Sequence, residues 1–358
     1  MMTRLCKQTG HFTYYECKSR LRIKVRFYYY ALGINERSLI KDYENDDCIY
    51  LKNHEVTRRM DRVRKRVGLE GLTLKEWPCK PVTVAVLDSG MENHPDLVGK
   101  CICFQDFVNR KRNCYDDAGH GTHVCGILCG TGEASMGKYR GIAPFSRLIV
   151  CKVLDKDGNG DADTMLEALE WLLEHRNRYH IRIINISVGI SNMKDKRKEI
   201  LLTQYLERLW DEGVVVVCAA GNKGPRAGSI SNIGGVNKVI TVGCYDDLEP
   251  LYIGKNCEYY SGRGRKTDVL RKPDLVAPGT AIVSCNHNFS ESLYIARSGT
   301  SMAAPMVAGA AALLLQREST LSNNVVADRL RFSAQDLGKP WNRQGWGMLN
   351  IKNILEIR

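Results

Sequence analysis

Residues 213–221 read GVVVVCAAG. Four valines in succession cannot alternate between a wet face and a dry one, so a strand here must be covered on both sides. The same texture recurs in VTVAVLD (82–88), RLIVCKVLD (147–155), IRIINISVG (181–189) and KVITVGC (238–244). Between these runs lie GTHVCGILCG (121–130), DTMLEALEWLLEHR (163–176) and RKEILLTQYLERLWDEG (197–213), which carry helical spacing. The alternation predicts an α/β domain over 79–358: a mostly parallel central sheet with helices on both faces, in three layers. Residues 1–78 stand apart as a basic N-terminal segment.

Composition narrows the class. A chain of 358 residues that is 44% hydrophobic can bury a large core. No stretch approaches the roughly 18 apolar residues of a membrane span. The start, MMTRLCKQTGHFTYYECKSRLRIKVRFYYYAL, has no uninterrupted apolar core and no small-residue cleavage site, so a cytoplasmic protein is expected. Several of the 14 cysteines sit inside apolar runs, where a thiol behaves as a small hydrophobe, and most are expected to be reduced. Residues 1–80 hold 18 Lys and Arg against 10 Asp and Glu, whereas the remainder is nearly balanced, 34 against 30. RRMDRVRKRVGLEGL (58–72) breaks its basic run with acids, which reads as a solvated face; neither nucleic acid nor membrane is expected as a partner.

In parallel sheets, chemistry gathers at the carboxyl ends of strands. Asp88 stands at such an end, where it is either a turn cap or a working acid. DDAGHGTHVCGILCG (116–130) opens a helix with His120 between two glycines that let another backbone come close. His123 shares its face, but the pair lacks the four-residue spacing and glutamate of a metalloprotease, and an internal hydrogen bond is expected of it. RSGTSMAAPMVAGAAALLLQ (297–316) is a helix of small residues with no charge from Ser301 to Leu315, the composition of a helix buried all round. Ser298, Thr300 and Ser301 all compete to cap it. A serine hydroxyl becomes nucleophilic when a base takes its proton and an acid orients that base. The chain order Asp88, His120, Ser301 matches one of the known arrangements of such a triad. It is not the order of the α/β-hydrolases, and GTSMA lacks the second glycine of their nucleophile elbow.

VAVLDSG, GHGTHVCGI and SGTSMAAPMVAGAAALL resemble the three signature blocks of the subtilisin-like serine proteases, and INISVG, AAGNKG, KPDLVAPG and QGWGMLNI follow the family in order. The likeness spans about residues 80–355 and is nearest to intracellular bacterial members. It implies a serine endopeptidase with Asp88, His120 and Ser301 as triad, and Asn222 with the Ser301 backbone N–H as oxyanion hole. It implies an extended substrate held between Gly158-Asn159-Gly160 and Ser187-Val188-Gly189, with Ala219, Ala220 and Gly221 walling a pocket for a large apolar side chain before the scissile bond. Lys223 would stand at that pocket's rim and disfavour basic side chains. A catalytically silent scaffold used for binding or regulation is the alternative.

No cofactor is expected, and calcium is the alternative. DKDGNGDAD (155–163) half-fits a calcium loop, but Leu166 stands where its last glutamate belongs. The segment 129–144, where many relatives carry a calcium loop, has one acid, Glu133. Departures from the pattern are Met306 for a histidine and Ile190 for a glycine. Cys125, one turn beyond His120, makes inhibition by mercurials an expectation. The first 78 residues, with a strand-like patch at 20–32, would serve as a reduced pro-segment or a cap.

Overall fold

The computed structural model of the protein describes residues 60–70, 80–189, 195–246, 257–265 and 267–356. All of them lie in a compact unit spanning 55–358. The strand-like patch at 20–32 and Ile190 lie outside the described residues.

Seven strands build the main sheet: β1 (Thr83–Asp88), β2 (Cys101–Asp106), β3 (Arg147–Lys152), β4 (Ile181–Ile186), β5 (Val215–Ala219), β6 (Ile240–Cys244) and β7 (Leu275–Ala277). Their spatial order is β2-β3-β1-β4-β5-β6-β7, and every pairing is parallel. Every residue of β1 and β5 is buried, as the unbroken Val/Ile runs demand. The edge strand β2 is only partly covered, and its mixed CICFQD pattern gave no strand signal. From β1 the chain goes to one side of the sheet and then restarts at β4 on the other. That reversal opens a crevice at the carboxyl end of β1, where Asp88 sits. A two-stranded antiparallel ribbon, β8 (Ile282–Cys285) and β9 (Tyr294–Arg297), lies outside the sheet.

Among the described residues the main helices are α1 (Met60–Arg66), α2 (His120–Cys129), α3 (Ala162–His175), α4 (Lys196–Asp211), α5 (Cys257–Tyr260), α6 (Thr300–Arg317) and α7 (Asn323–Phe332). On one side of the sheet α3 packs on α4; on the other, α2 packs on α6, which crosses β4 to β7. Residues 302–316 of α6 are all buried. Small side chains are needed there: a Cβ at Gly309 would come within 2.7 Å of the Ile142 side chain. Beyond α7, residues 346–349 dock on the free edge of β7, with Val276 N–H donating to the Gly347 carbonyl and Leu349 N–H to the Val276 carbonyl.

Helix α1 falls within the stretch first assigned to the N-terminal segment, yet Met60, Val63, Val67 and Leu69 are buried in the same core as the sheet. Val67 accepts a backbone bond from Ile351, and the Arg64 guanidinium donates to the Gly141 carbonyl. A division at 78/79 thus does not separate α1 from the domain it packs on. The cysteines need one refinement. Eight described cysteines are free, but Cys244 and Cys257 form a disulfide, with Cα atoms 5.4 Å apart.

Candidate active site

The site assembles at the carboxyl ends of β1, β3, β4 and β5. Asp88 closes β1 and is fully buried. Its Oδ1 accepts from the Ser89 N–H at 2.8 Å and pairs with His120 Nδ1 at 2.7 Å. His120 opens α2, and the glycines beside it are required as expected: a Cβ at Gly121 would lie 2.1 Å from the Gly90 carbonyl oxygen. Burial pulls the imidazole pKa down, but the charge and hydrogen bond of Asp88 outweigh it and raise the value above 6.5, against an opposing push from Arg297. His123, fully buried, bonds through Nε2 to the carbonyls of Ile282 and Ile295 at 3.0 and 3.1 Å. Desolvation holds it neutral, with a pKa pulled down to about 3.

Helix α6 begins at Thr300, and its cap position is Gly299, which has no side chain to offer. Ser298 is occupied elsewhere, accepting from the Ala281 N–H. Ser301 is therefore not a cap; it lies in the first turn, half-buried, with a backbone N–H that no partner claims among the described residues. The Ser301 hydroxyl and His120 Nε2 likewise make no hydrogen bond among the described residues. Pro305, which has no N–H, cannot bond back to the Ser301 carbonyl.

Asn222 follows β5 and reaches across to that first turn. Its Oδ1 accepts from Thr300 N–H at 2.9 Å and Thr300 Oγ1–H at 3.0 Å, which leaves Nδ2 to donate. The Nδ2 atom lies beside Gly299, two residues before Ser301. Two donors, Asn222 Nδ2 and the Ser301 N–H, thus stand at the start of α6, where the helix dipole favours negative charge.

The substrate-binding positions fall around this centre. Gly158, Asn159 and Gly160 form an exposed-to-half-buried turn after β3, and Ser187, Val188 and Gly189 continue β4. Among the described residues, the backbone of Gly160, Val188 and Gly189 makes no hydrogen bond, so both edges can pair with an added strand. Ala219 and Ala220 are buried at the end of β5, and Gly221 donates its N–H to Thr300 Oγ1 at 3.1 Å. Lys223 is exposed next to Asn222.

Residues 80–347 match the family model of the Subtilase family. The chain belongs to the subtilase family. It is 37% identical over 339 residues to serine protease AprX of Bacillus subtilis (strain 168), which covers 88% of this chain and 76% of AprX. It is 34% identical over 332 residues to subtilisin E of the same strain, covering 90% of this chain and 79% of subtilisin E. Among solved structures, sphericase superposes with a TM-score of 0.68 at 27% identity, over 80% of this chain and 96% of sphericase. A psychrophilic protease, S41, superposes with a TM-score of 0.64 at 31% identity, over 76% of this chain and 92% of its own. This subtilase is a serine endopeptidase acting on proteins, and nothing supports the silent-scaffold alternative.

Three residues brace the subtilase's site, a role the sequence did not assign to them. Thr300 bridges the Gly221 N–H and Asn222 Oδ1, so one hydroxyl sets both the pocket wall and the oxyanion donor. Asp116 accepts from Ser89 Oγ, Gly119 N–H, Thr122 N–H and Thr122 Oγ1, at 2.6–2.8 Å. Those donors tie the end of β1 to the turn that launches α2, which fixes Asp88 and His120 relative to each other. An Asp just ahead of a glycine turn is a readable Asx-turn signal, and here its side chain takes the Ala118 and Gly119 amides. Ser89 completes the link by accepting from the Gly121 N–H at 2.9 Å. Cys125 is fully buried and burial pushes its thiol pKa far up, so the expected attack by mercurials has no accessible thiolate to work on.

The acids of 155–163 serve their own turn: Asp155 Oδ1 accepts from the amides of Asp157 and Asn159, and Asp161 caps α3 through Thr164. In the 129–144 segment Glu133 is exposed. That loop is held instead by Asp96, which takes hydrogen bonds from Ala134 N–H at 2.9 Å and Tyr294 Oη at 2.7 Å.

Proposed function

We propose that the peptidase reaction runs through Ser301 as nucleophile, His120 as general base and then acid, and Asp88 as the group that orients the imidazole. The observation that carries this reading is the 2.7 Å bond from His120 Nδ1 to Asp88 Oδ1. It puts the ring proton on Nδ1 and leaves the Nε2 lone pair to accept the Ser301 proton. Attack of Ser301 Oγ on the peptide carbonyl gives a tetrahedral oxyanion that receives hydrogen bonds from the Ser301 N–H and Asn222 Nδ2. Collapse expels the amine as His120 returns the proton, leaving an ester on Ser301. Water, deprotonated by the same imidazole, then releases the acid product. A fluorophosphonate probe should label the wild-type protein on Ser301 and leave Ser301→Ala unlabelled; labelling of the variant would overturn the assignment.

The extended substrate lies between Gly158–Gly160 and Ser187–Gly189 as a third strand. The small walls Ala219, Ala220 and Gly221 leave room for a large apolar side chain before the scissile bond.

Catalysis and stability need no metal. The support is the self-satisfied turn at Asp155 and the 129–144 segment, whose one acid, Glu133, is exposed. A chelator is therefore expected to move Tm by less than about 2 °C. A stabilising ion at a hundredfold excess over its Kd contributes ~2.7 kcal/mol, whose loss would lower Tm by about 5 °C or more in a domain of this size.

Residues before Met60 act as an intramolecular pro-segment. Helix α1 belongs to the mature domain, because cutting behind it would strip buried Met60 and Val63 from the core, each a loss of roughly 1.5–3 kcal/mol. Mass spectrometry of the active protein should find a new N-terminus ahead of residue 60; one after Arg66 would refute this. Action in the cytoplasm is supported by the eight free cysteines among the described residues, since oxidising compartments pair thiols. The Cys244–Cys257 bond runs against that rule. Neither nucleic acid nor a membrane is a partner in this reading, and no helix among the described residues is long and apolar enough to cross a membrane.

A further inference from the structure

Arg297 ends β9, four residues before Ser301, and pairs in the ribbon with Ile282. Its guanidinium turns toward the segment that leads into α2, where Nη2 donates to the Ala118 carbonyl at 3.4 Å, two residues ahead of His120. The Nε atom is buried and has no hydrogen-bond partner. Among the described residues no carboxylate forms an ion pair with Arg297. A half-buried guanidinium held by one long bond is under-satisfied, because its five donors suit a planar, bidentate acceptor. The charge also works against the site's own base, opposing the rise at His120 and adding to the fall at His123. An arriving anion would relieve both costs.

The position tells which part of a substrate that anion belongs to. Ala219, Ala220, Gly221 and Asn222 take the acyl half of the substrate, on one flank of Ser301. His120 faces the other flank, because it must hand its proton to the departing amine. Arg297 touches the chain just before His120 and so borders the leaving group.

We propose that Arg297 is a specificity-determining residue that binds a carboxylate on the leaving-group side of the scissile bond. Guanidinium and carboxylate match in shape and charge, and the partly buried setting weakens screening. Two sources present that chemistry: an Asp or Glu side chain in the first two residues after the bond, or the free C-terminus of a short leaving peptide. The inference rests on the assignment of Ser301 and His120 to the reaction.

The test uses quenched peptides that differ only after the scissile bond. One set carries Asp or Glu against Asn or Gln at the first two positions. The other ends two residues after the bond as a free acid or an amide. Active sites are counted by fluorophosphonate titration, so misfolded protein drops out of kcat/KM. The expected acid-to-neutral ratio of kcat/KM in the full-length protein is about fivefold, equivalent to about 1 kcal/mol. It should fall to near one in Arg297→Gln, lie between in Arg297→Lys, and shrink as salt rises. Whichever peptide set shows the ratio identifies the source of the carboxylate. A wild-type ratio near one, or the same ratio in Arg297→Gln, overturns the proposal and leaves the Ser301 assignment standing. Cleavage by Ser301→Ala would overturn that assignment instead.

Discussion

Replacing Ser301 with alanine is expected to lower kcat by about 10⁶-fold, a magnitude carried over from subtilisin and not obtained from this geometry. The change removes one oxygen from the first turn of α6 and disturbs little else. Its neighbours Thr300 and Met302 are buried, and the Asn222–Thr300 bonds do not involve the serine side chain. Tm should therefore stay near that of the wild type while turnover of a peptide substrate disappears. Residual hydrolysis would reflect the oxyanion donors acting on bound water. Turnover within tenfold of wild type would mean that another residue attacks the carbonyl.

Asp88→Asn is expected to cost about 10⁴-fold in kcat, because an amide cannot fix the tautomer that leaves Nε2 basic. It should also move the pH profile. His120 must be neutral to accept a proton, and Asp88 raises its pKa above 6.5, so wild-type activity falls away as pH drops through a value above 6.5. The charged groups facing the ring are Asp88 from β1, Asp116 from the turn before α2 and Arg297 from β9. Without the Asp88 charge, burial and Arg297 pull the imidazole down, and the surviving activity persists to lower pH. Stability changes with the same sign logic. The raised pKa contributes stability below 6.5 that fades as pH rises through the folded value, and the variant loses this dependence. A kcat/KM profile with an unmoved acidic limb would remove Asp88 from contact with the ring.

The strands were legible where both faces are buried. The runs at 82–88, 147–155, 181–189, 213–221 and 238–244 contain β1, β3, β4, β5 and β6, with strand starts misplaced by no more than two residues. What failed to show was β2, whose partial exposure dilutes its apolar signal, and β7, β8 and β9, which have three or four residues each and too little length for a period to register. The helix start at His120, and one beside Ser301, were readable because glycines and small residues have few other reasons to cluster there. Thr300 as a brace for Asn222 was not readable, since 78 residues separate partners that only the sheet brings together. Arg297 gave no sign either: one arginine at the end of a short strand looks like any other until its lack of an acid partner is seen in space. The packing of α1 was not legible because the basic run at 58–66 hides its apolar positions, Met60 and Val63, among arginines.

Helix α6 carries one more consequence. A protease digests whatever can be drawn out as a strand, its own copies included. The residues behind Ser301 are sealed by α2, β4 to β7 and Ile142, so no local fluctuation presents them as an extended segment. Self-digestion must therefore begin at surface turns such as 155–161, and the attacking hydroxyl vanishes only when the whole domain comes apart. The lifetime of the working enzyme is set by how fast such exposed turns are cut and by the barrier to global opening, not by the durability of its reactive groups.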